Sequence, residues 1–266
     1  MSRTTLWYVF LLVLMGAVWG LTQPLSKIAV STGYRHFGLI SWQLIYMIVV
    51  LGGMNLIRGK GLPFQKAHLI CYALIAILGT VIPNAISYQA AIHLPAGILS
   101  ILMTLVAMFS LPLALAARLE RFDPWRMFGV LCGAAAIVLL AGPEASLPDP
   151  AMAIWVLIAA IAPFMYAMEN TYVARYGTLD LDAVQVLLGA SVVGLVITLP
   201  LTFATGQWIN MAVVWGAPEA ALLVSSVLHA VAYAGYIWLI GRTGSVFASL
   251  VAYLTTGCGI LWAMVL

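Results

Sequence analysis

Residues 96–117 read AGILSILMTLVAMFSLPLALAA, a run of 22 residues without a charged side chain. A membrane-spanning helix needs about 20 consecutive apolar residues, so this run is long enough to cross a bilayer. Charged residues follow it directly, at Arg118, Glu120 and Arg121. Basic flanks of this kind are typical of the point where a helix leaves the hydrocarbon. The segment therefore predicts a transmembrane helix.

The composition extends this interpretation to the whole chain. Of its 266 residues, 64% are apolar or aromatic and only 7% are charged. A soluble domain carries about a quarter of its residues as charges, because charges cover a surface that faces water. With about 20 residues for each span and a few for each turn, the chain holds about nine spans and leaves no room for a soluble domain.

Nine apolar segments, bounded by Gly, Pro or charge, predict an all-α polytopic membrane protein with nine helices. The even alternation of a membrane β-barrel is absent, and α-helices satisfy their own backbone hydrogen bonds in lipid. The predicted helices lie near Leu6–Val30, Leu39–Ile57, Leu69–Ile92, Ala96–Ala117, Trp125–Ala141, Ala151–Ala174, Ala183–Ala204, Glu219–Ile240 and Phe247–Leu266.

The basic residues predict the orientation, because cytoplasmic loops hold the excess of Lys and Arg. A cytoplasmic N-terminus leaves only Lys27 and Arg35 outside. We therefore expect a multi-pass protein of the inner or plasma membrane with its N-terminus in the cytoplasm. The basic residues at cytoplasmic helix ends are then Arg3, Arg58, Lys60, Lys66, Arg118, Arg121, Arg126, Arg175 and Arg242.

Charge and cysteine usage narrow the range of partners. The net charge of +3 comes from thinly scattered residues, which disfavours nucleic acid as a partner. Cys71, Cys132 and Cys258 lie singly in apolar runs, a pattern that indicates small hydrophobic side chains rather than a disulfide framework or a metal cluster. We expect a small solute and the lipid bilayer as partners and no cofactor or metal, and the sequence does not fix the oligomeric state.

A polar, Pro-rich linker at residues 143–150 (PEASLPDP) divides the chain near its middle. We expect a first unit of five helices at residues 1–142 and a second unit of four helices at residues 151–266. An internal repeat would therefore relate the sequence before the linker to the sequence after it.

Two alignments across the linker agree on nearly one offset. A shift of 148 residues places Trp7–Lys27 on Trp155–Arg175, and a shift of 149 places Ala96–Ala107 on Ser245–Thr256. Five helices in a repeat is an odd number, so consecutive repeats have opposite orientations. This arrangement is the inverted-repeat plan of many secondary transporters.

Three stretches resemble the EamA-type members of the drug/metabolite transporter superfamily. They are Gly16–Lys27 with its Trp19-Gly20 pair, Ala96–Arg121 followed by Gly129 and Gly133, and Tyr233–Tyr253. The resemblance implies a transporter with ten helices in two inverted repeats. With nine predicted helices, the second repeat is expected to lack the partner of Trp125–Ala141, through truncation or as a natural variant.

Glu169 is the most informative candidate for function. It lies inside the sixth predicted span, where an ionisable group costs about 3 kcal/mol or more. Such a site favours the neutral acid, which suits a group that gains and loses a proton during transport. The alternative is a carboxylate that reaches the interface or pairs with Arg175.

Other polar and aromatic side chains at membrane depth complete the candidate binding site. Pro24 frees the carbonyl of Gly20, although a kink that serves only packing is the alternative. Asn84 and Tyr88 share one helix face, and so do His229 and Tyr233. The predicted substrate-binding residues are Trp19, Gln23, Asn84, Tyr88, Glu169, Asn170, His229 and Tyr233.

Lys27 and Arg175 are candidates for gating, together with Glu169. The 148-residue shift aligns these two cations, and an inverted repeat places them near opposite membrane faces. Each would close one end of a cavity by pairing with a carboxylate in one state. The alternative is that both side chains reach the interface, as long basic side chains near helix ends commonly do.

The leading hypothesis is a secondary transporter that exports small metabolites, such as amino acids or related amphipathic compounds, by alternating access. Export is either proton-coupled or facilitated. The sequence has no phosphate-binding loop, so direct use of ATP is unsupported. The alternatives are a membrane scaffold or sensor and a lipid-modifying enzyme, but the motifs of such enzymes are absent.

Overall fold

The computed structural model describes residues 3–141 and 152–266, and all regular elements in these two ranges are helical. One of them is a π-helical turn, Ile77–Val81, between the third and fourth α-helices. The α-helices are α1 Arg3–Ala29, α2 His36–Ile57, α3 Lys66–Ala76, α4 Ile82–His93, α5 Ala96–Leu102, α6 Leu105–Ala116, α7 Pro124–Ala141, α8 Ala153–Ala159, α9 Ile161–Tyr176, α10 Ala183–Ala204, α11 Ala217–Thr243, α12 Ser245–Ser249 and α13 Val251–Val265.

Eight helical stretches in the described ranges are long and apolar enough to cross a membrane, and each has between 21 and 28 residues. Four of them are composed of two α-helices each, namely α3–α4, α5–α6, α8–α9 and α12–α13. The all-α polytopic class is therefore confirmed. The fifth predicted segment, Trp125–Ala141, is not among these eight stretches and forms the 18-residue helix α7. The total of nine spans, the orientation and the division into two repeats stay predictions.

Pro83 explains why the third span widens into a π-helical turn. Proline has no amide N–H, so it cannot donate to the carbonyl four residues earlier, that of Gly79. The N–H of Ile82 instead bonds the carbonyl of Ile77, five residues earlier. A π-turn inside an α-helix displaces the following side chains, and such turns often lie at functional sites.

The spans α5–α6 and α12–α13 are both interrupted close to their starts. At the first break the N–H of Thr104 bonds the carbonyl of Ile101 at 3.0 Å, and at the second the N–H of Leu250 bonds that of Phe247 at 3.2 Å. These bonds reach back three residues and so tighten the helix locally. The 149-residue shift aligns the first residues of the two spans, Ala96 and Ser245.

Helices α2 and α10 pack against each other along their length. Near the start of α2 and the end of α10, the hydroxyls of Ser41 and Thr202 are 2.7 Å apart and fully buried. Beyond one end of α10, the indole N–H of Trp42 donates to the carbonyl of Ile209 at 2.9 Å. A Cβ atom on Gly38 would overlap the nearby backbone of the same loop, so this approach requires glycine. We call this helix pair the α2–α10 spine.

Asp182 stabilises the other end of the spine. Its carboxylate caps α10 through the N–H groups of Val184 and Gln185. It also binds Arg58 at 2.8 Å and Lys60 at 2.6 Å. Partial burial by itself raises the pKa of Asp182, but the bonds from Lys60 and Arg58 outweigh it and lower that pKa from 3.8 to about 2. The membrane face that carries this cluster is called the basic face below.

We predict that Asp182→Asn lowers the free energy of unfolding by about 1 kcal/mol, because it removes two partly exposed ion pairs but keeps a good helix cap. Asp182→Ala also removes the helix cap and lowers the free energy of unfolding by about 1 kcal/mol more. Since the folded pKa is depressed, the ion-pair contribution is present above the ordinary pKa and is lost as the pH falls toward 2. Denaturant titration of the purified protein in detergent measures these differences.

Asp180→Asn is the matched control for this experiment. Asp180 is exposed in the same loop and has a positive φ of 63°, a conformation that Asn also tolerates. Unfolding free energies that are equal for wild type, Asp182→Ala and the control would contradict the role given to Asp182.

Candidate functional site

A cavity of about 100 Å³ lies among the spans, lined by residues of α1, α2, α4, α9 and α11 and of the two interrupted spans α5–α6 and α12–α13. A space of this size holds several water molecules or a small polar group. All eight predicted substrate-binding residues line it: Trp19, Gln23, Asn84, Tyr88, Glu169, Asn170, His229 and Tyr233. Among the described residues, no Lys or Arg lines it.

Glu169 is the acidic residue of the cavity, and only 1% of it is exposed. It lies seven residues before the end of α9, or about 10 Å along the helix axis. Its Oε1 accepts a hydrogen bond from the hydroxyl of Tyr233 on α11. The ion pairs among the described residues do not include Glu169, so it is not paired with Arg175.

Gly79 in the π-helical turn allows the bond between Glu169 and Tyr233. A Cβ atom at this position would overlap the Tyr233 hydroxyl and the Glu169 carboxyl group. The backbone of the third span therefore lies directly against the pair. Three separate spans meet at this carboxyl group because one of them has no side chain there.

An aromatic cluster lies next to this pair. The indole N–H of Trp19 donates to Nδ1 of His229 at 3.2 Å. The Trp19 ring also meets the rings of Tyr236 and Tyr233, with centroid distances of 5.0 and 6.1 Å. Because an indole can only donate, Nδ1 of His229 is an acceptor and the neutral imidazole carries its proton on Nε2.

Several buried polar atoms of the cavity have no hydrogen-bond partner among the described residues. They are both amide atoms of Asn170, Nε2 of His229 and the hydroxyl of Tyr236. The Tyr236 side chain lies close to that of Asn170, but the two do not meet the geometry of a hydrogen bond. Most buried polar groups are hydrogen-bonded, and leaving one unpaired costs about 1–3 kcal/mol. Their concentration in one cavity indicates a binding site for a polar ligand or for water.

A second polar network forms another wall of the cavity. Oε1 of Gln43 accepts bonds from Asn84 at 3.0 Å and from Tyr88 at 3.1 Å. The hydroxyl of Tyr166 donates to Oδ1 of Asn84 at 3.1 Å. This network joins α2, α4 and α9, and it fixes the orientation of the Asn84 amide.

Gln43 and Tyr166 were not predicted as site residues. Gln43 is a polar side chain within an apolar run, which is the signal that marked the other candidates. Tyr166 carries no comparable signal, because tyrosines are also common at membrane interfaces.

The glycines of the first span serve helix packing. A Cβ atom on Gly16 would overlap Leu254, and one on Gly20 would lie 2.7 Å from the backbone nitrogen of Gly259. Helix α1 therefore packs closely on α13. Gln23 faces the cavity from the same helix, one residue before Pro24.

Lys27 and Arg175 lie outside the central cavity. Nζ of Lys27 donates to the carbonyls of Ala91 at 2.5 Å and Leu94 at 3.2 Å, at the end of α4. Arg175 is exposed and lines a second cavity on the basic face, together with Arg118. Their gating roles stay predictions.

The comparisons with known proteins agree with the resemblance seen in the sequence. The sequence model of the EamA-like transporter family matches residues 6–142. No curated protein matches the chain. Ten chains of solved structures do match. One of them, described as "Crystal structure of protein", is 16% identical, with a TM-score of 0.64 over 99% of this chain and 95% of the other. At that identity the likeness shows the fold alone.

We predict that Gly79→Ala destabilises the protein by about 1–3 kcal/mol, because the added methyl group forces Glu169 and Tyr233 apart or shifts the third span. Gly53→Ala in α2 is the matched control, since a Cβ atom there meets nothing within 4 Å. Replacing glycine by alanine at an open site inside a helix raises the free energy of unfolding by up to about 1 kcal/mol. Thermal unfolding in detergent compares the two, and a Gly79→Ala protein as stable as the control would contradict the close contact.

Proposed function

The chain belongs to the EamA-like transporter family, and from this premise we propose that it is a secondary transporter that exports small metabolites by alternating access. The observation that carries the proposal is a buried carboxyl group, Glu169, that faces a cavity with unpaired polar groups; in the part of the chain that the structure describes, no Lys or Arg lines this cavity. We place the transporter in the inner or plasma membrane, with the basic face in the cytoplasm.

The chemistry of the cavity favours a solute that carries an amine. An ammonium group beside Glu169 would supply the cation that the carboxylate lacks, and a buried charge is tolerated when it is paired. The rings of Trp19, Tyr233 and Tyr236 would surround such a group, and aromatic faces attract cations. Amino acids and related amphipathic amines fit this description.

The unpaired groups of the cavity provide the remaining contacts. Asn170 offers a donor and an acceptor, and His229 offers Nε2. A solute with a second polar group would satisfy them, whereas a purely apolar molecule would leave them unpaired. This difference gives the site its selectivity, since unpaired buried groups are costly.

Alternating access follows if the two predicted repeats move relative to each other. The cavity receives side chains from both units, including Trp19 and Asn84 from residues 1–142 and Glu169 and Tyr233 from residues 151–266. The α2–α10 spine is bonded near both of its ends, so we propose that it keeps its packing. The other helices then rock about it and open the cavity to one face at a time.

Proton coupling follows from competition for one carboxyl group. When Glu169 is protonated, it is neutral and offers no charge to an amine. When it is ionised, it attracts the amine and accepts from Tyr233. A proton and a solute cation would therefore occupy the site in turn, and a pH gradient would drive export.

We predict that Glu169→Gln lowers export of the transported solute about tenfold or more, a loss of about 1.4 kcal/mol of stabilisation, and removes its dependence on a pH gradient. Flux from proteoliposomes measures both effects. Glu120→Gln is the matched control, because Glu120 is a carboxylate outside the cavity that binds Arg126 at 3.3 Å. Wild-type rates with unchanged pH dependence in Glu169→Gln would rule out coupling through this residue.

The solute itself is found by screening amino acids, nucleosides and organic cations in the same proteoliposomes. We expect amine-bearing compounds with an aromatic or apolar part to give the largest flux, and Trp19→Ala to reduce that flux about tenfold. Trp125→Ala is the control, since Trp125 is 83% exposed at the start of α7. If no solute crosses and the cavity variants change nothing, the protein is a scaffold or sensor instead.

A further inference from the structure

A second cavity of about 360 Å³ lies on the basic face, where α6 and α9 end. Its lining includes Arg118 and Arg175, the rings of Tyr172 and Tyr176, and the methyl groups of Ala116 and Ala117. It is separate from the central cavity, with which it shares no lining residue. The transport mechanism described above does not use it.

The two arginines of this cavity have no carboxylate partner in the described part of the chain. The ion pairs there are those of Asp182 with Arg58 and Lys60, and that of Glu120 with Arg126. The carboxylate of Asp123 instead accepts backbone N–H groups at the start of α7. None of the described residues that line the cavity is acidic, so its two positive charges have no counter-charge in the described ranges.

The backbone holds one of these arginines in an uncommon conformation. Arg118 has a positive φ of 57°, which L-residues other than glycine adopt rarely. Arg118 follows Ala117, the residue that caps the end of α6, and its N–H bonds the carbonyl of Leu115 at 3.0 Å. This turn places Arg118 in the same cavity as Arg175, which lies in the last turn of α9.

We propose that this cavity binds the phosphate group of an anionic membrane lipid. Guanidinium groups bind phosphate oxygens through paired N–H donors, and two of them suit a phosphodiester. The ends of membrane spans lie at the depth of lipid headgroups, and Tyr176, which is 69% exposed, is a typical side chain of that region.

The surroundings favour a lipid over a free phosphate ion. Rings and methyl groups line the cavity beside the arginines, and they offer contact to the glycerol and upper acyl chain of a lipid. Basic pockets between spans commonly bind anionic headgroups. Each Lys or Arg near the surface contributes about 1 kcal/mol of attraction to anionic lipid. A free ion would gain only the charge contacts.

The test measures how lipids raise the thermal unfolding temperature of the purified protein in detergent. The probes are phosphatidylglycerol, phosphatidylcholine with the same acyl chains, and inorganic phosphate. The variant is Arg118→Gln combined with Arg175→Gln. The matched control, Lys66→Gln combined with Arg121→Gln, removes two exposed charges from the same face but none from the cavity.

We expect phosphatidylglycerol to stabilise the wild type and the control more than phosphatidylcholine or inorganic phosphate does. In the Arg118 and Arg175 variant, the dissociation constant for phosphatidylglycerol should rise roughly 30-fold. Replacing both arginines by Lys keeps the charge and covers the case in which the Gln variant does not fold. That variant should show an intermediate loss, because Lys lacks the paired donors.

Three results would overturn the proposal. Equal losses in the variant and the control would assign the effect to the general charge of the basic face. Equal stabilisation by inorganic phosphate would remove the role of the lipid. Stabilisation of the wild type that does not distinguish phosphatidylglycerol from phosphatidylcholine would show that the cavity does not recognise the anionic headgroup.

Discussion

The membrane interior depends on one constraint, the burial of the Glu169 carboxyl group with no cationic partner among the described residues. An ionisable group at the centre of a span costs about 3 kcal/mol or more, so its surroundings must compensate. Here a tyrosine hydroxyl from α11 supplies one bond. The close approach of the third span, at Gly79 in its π-helical turn, completes the site. One carboxyl group thus determines where three helices meet.

The rest of the bundle divides into parts with different tasks. The α2–α10 spine is held by buried hydroxyls near one end and by Asp182 at the other end, on the basic face. The helices around the cavity are less completely bonded, since Asn170, His229 and Tyr236 retain free polar atoms. A well-bonded spine beside a polar cavity with unmet hydrogen bonds is an arrangement suited to binding and releasing a solute.

Much of this arrangement could be predicted from the sequence, because the bilayer imposes simple rules. Length and hydropathy located Ala183–Ala204 without error, and they located the other spans to within a few residues. The cavity residues were found because polar groups at membrane depth are costly and therefore conspicuous. The breaks near Thr104 and Leu250 were not predicted, because they interrupt apolar runs without a proline or a charge at the break. Lys27 and Arg175 lie at helix ends, where alignment alone does not separate gating from contact with the interface.

The central claim is that Glu169 exchanges a proton for an amine-bearing solute, and proton release on binding tests it most directly. The purified protein is titrated with the solute that gives the largest flux, in weakly buffered detergent solution with a pH indicator. We expect protein whose Glu169 is protonated to release about one proton for each solute bound, and Glu169→Gln to release none. Binding without proton release over the whole pH range, or equal release by Glu169→Gln, would contradict it.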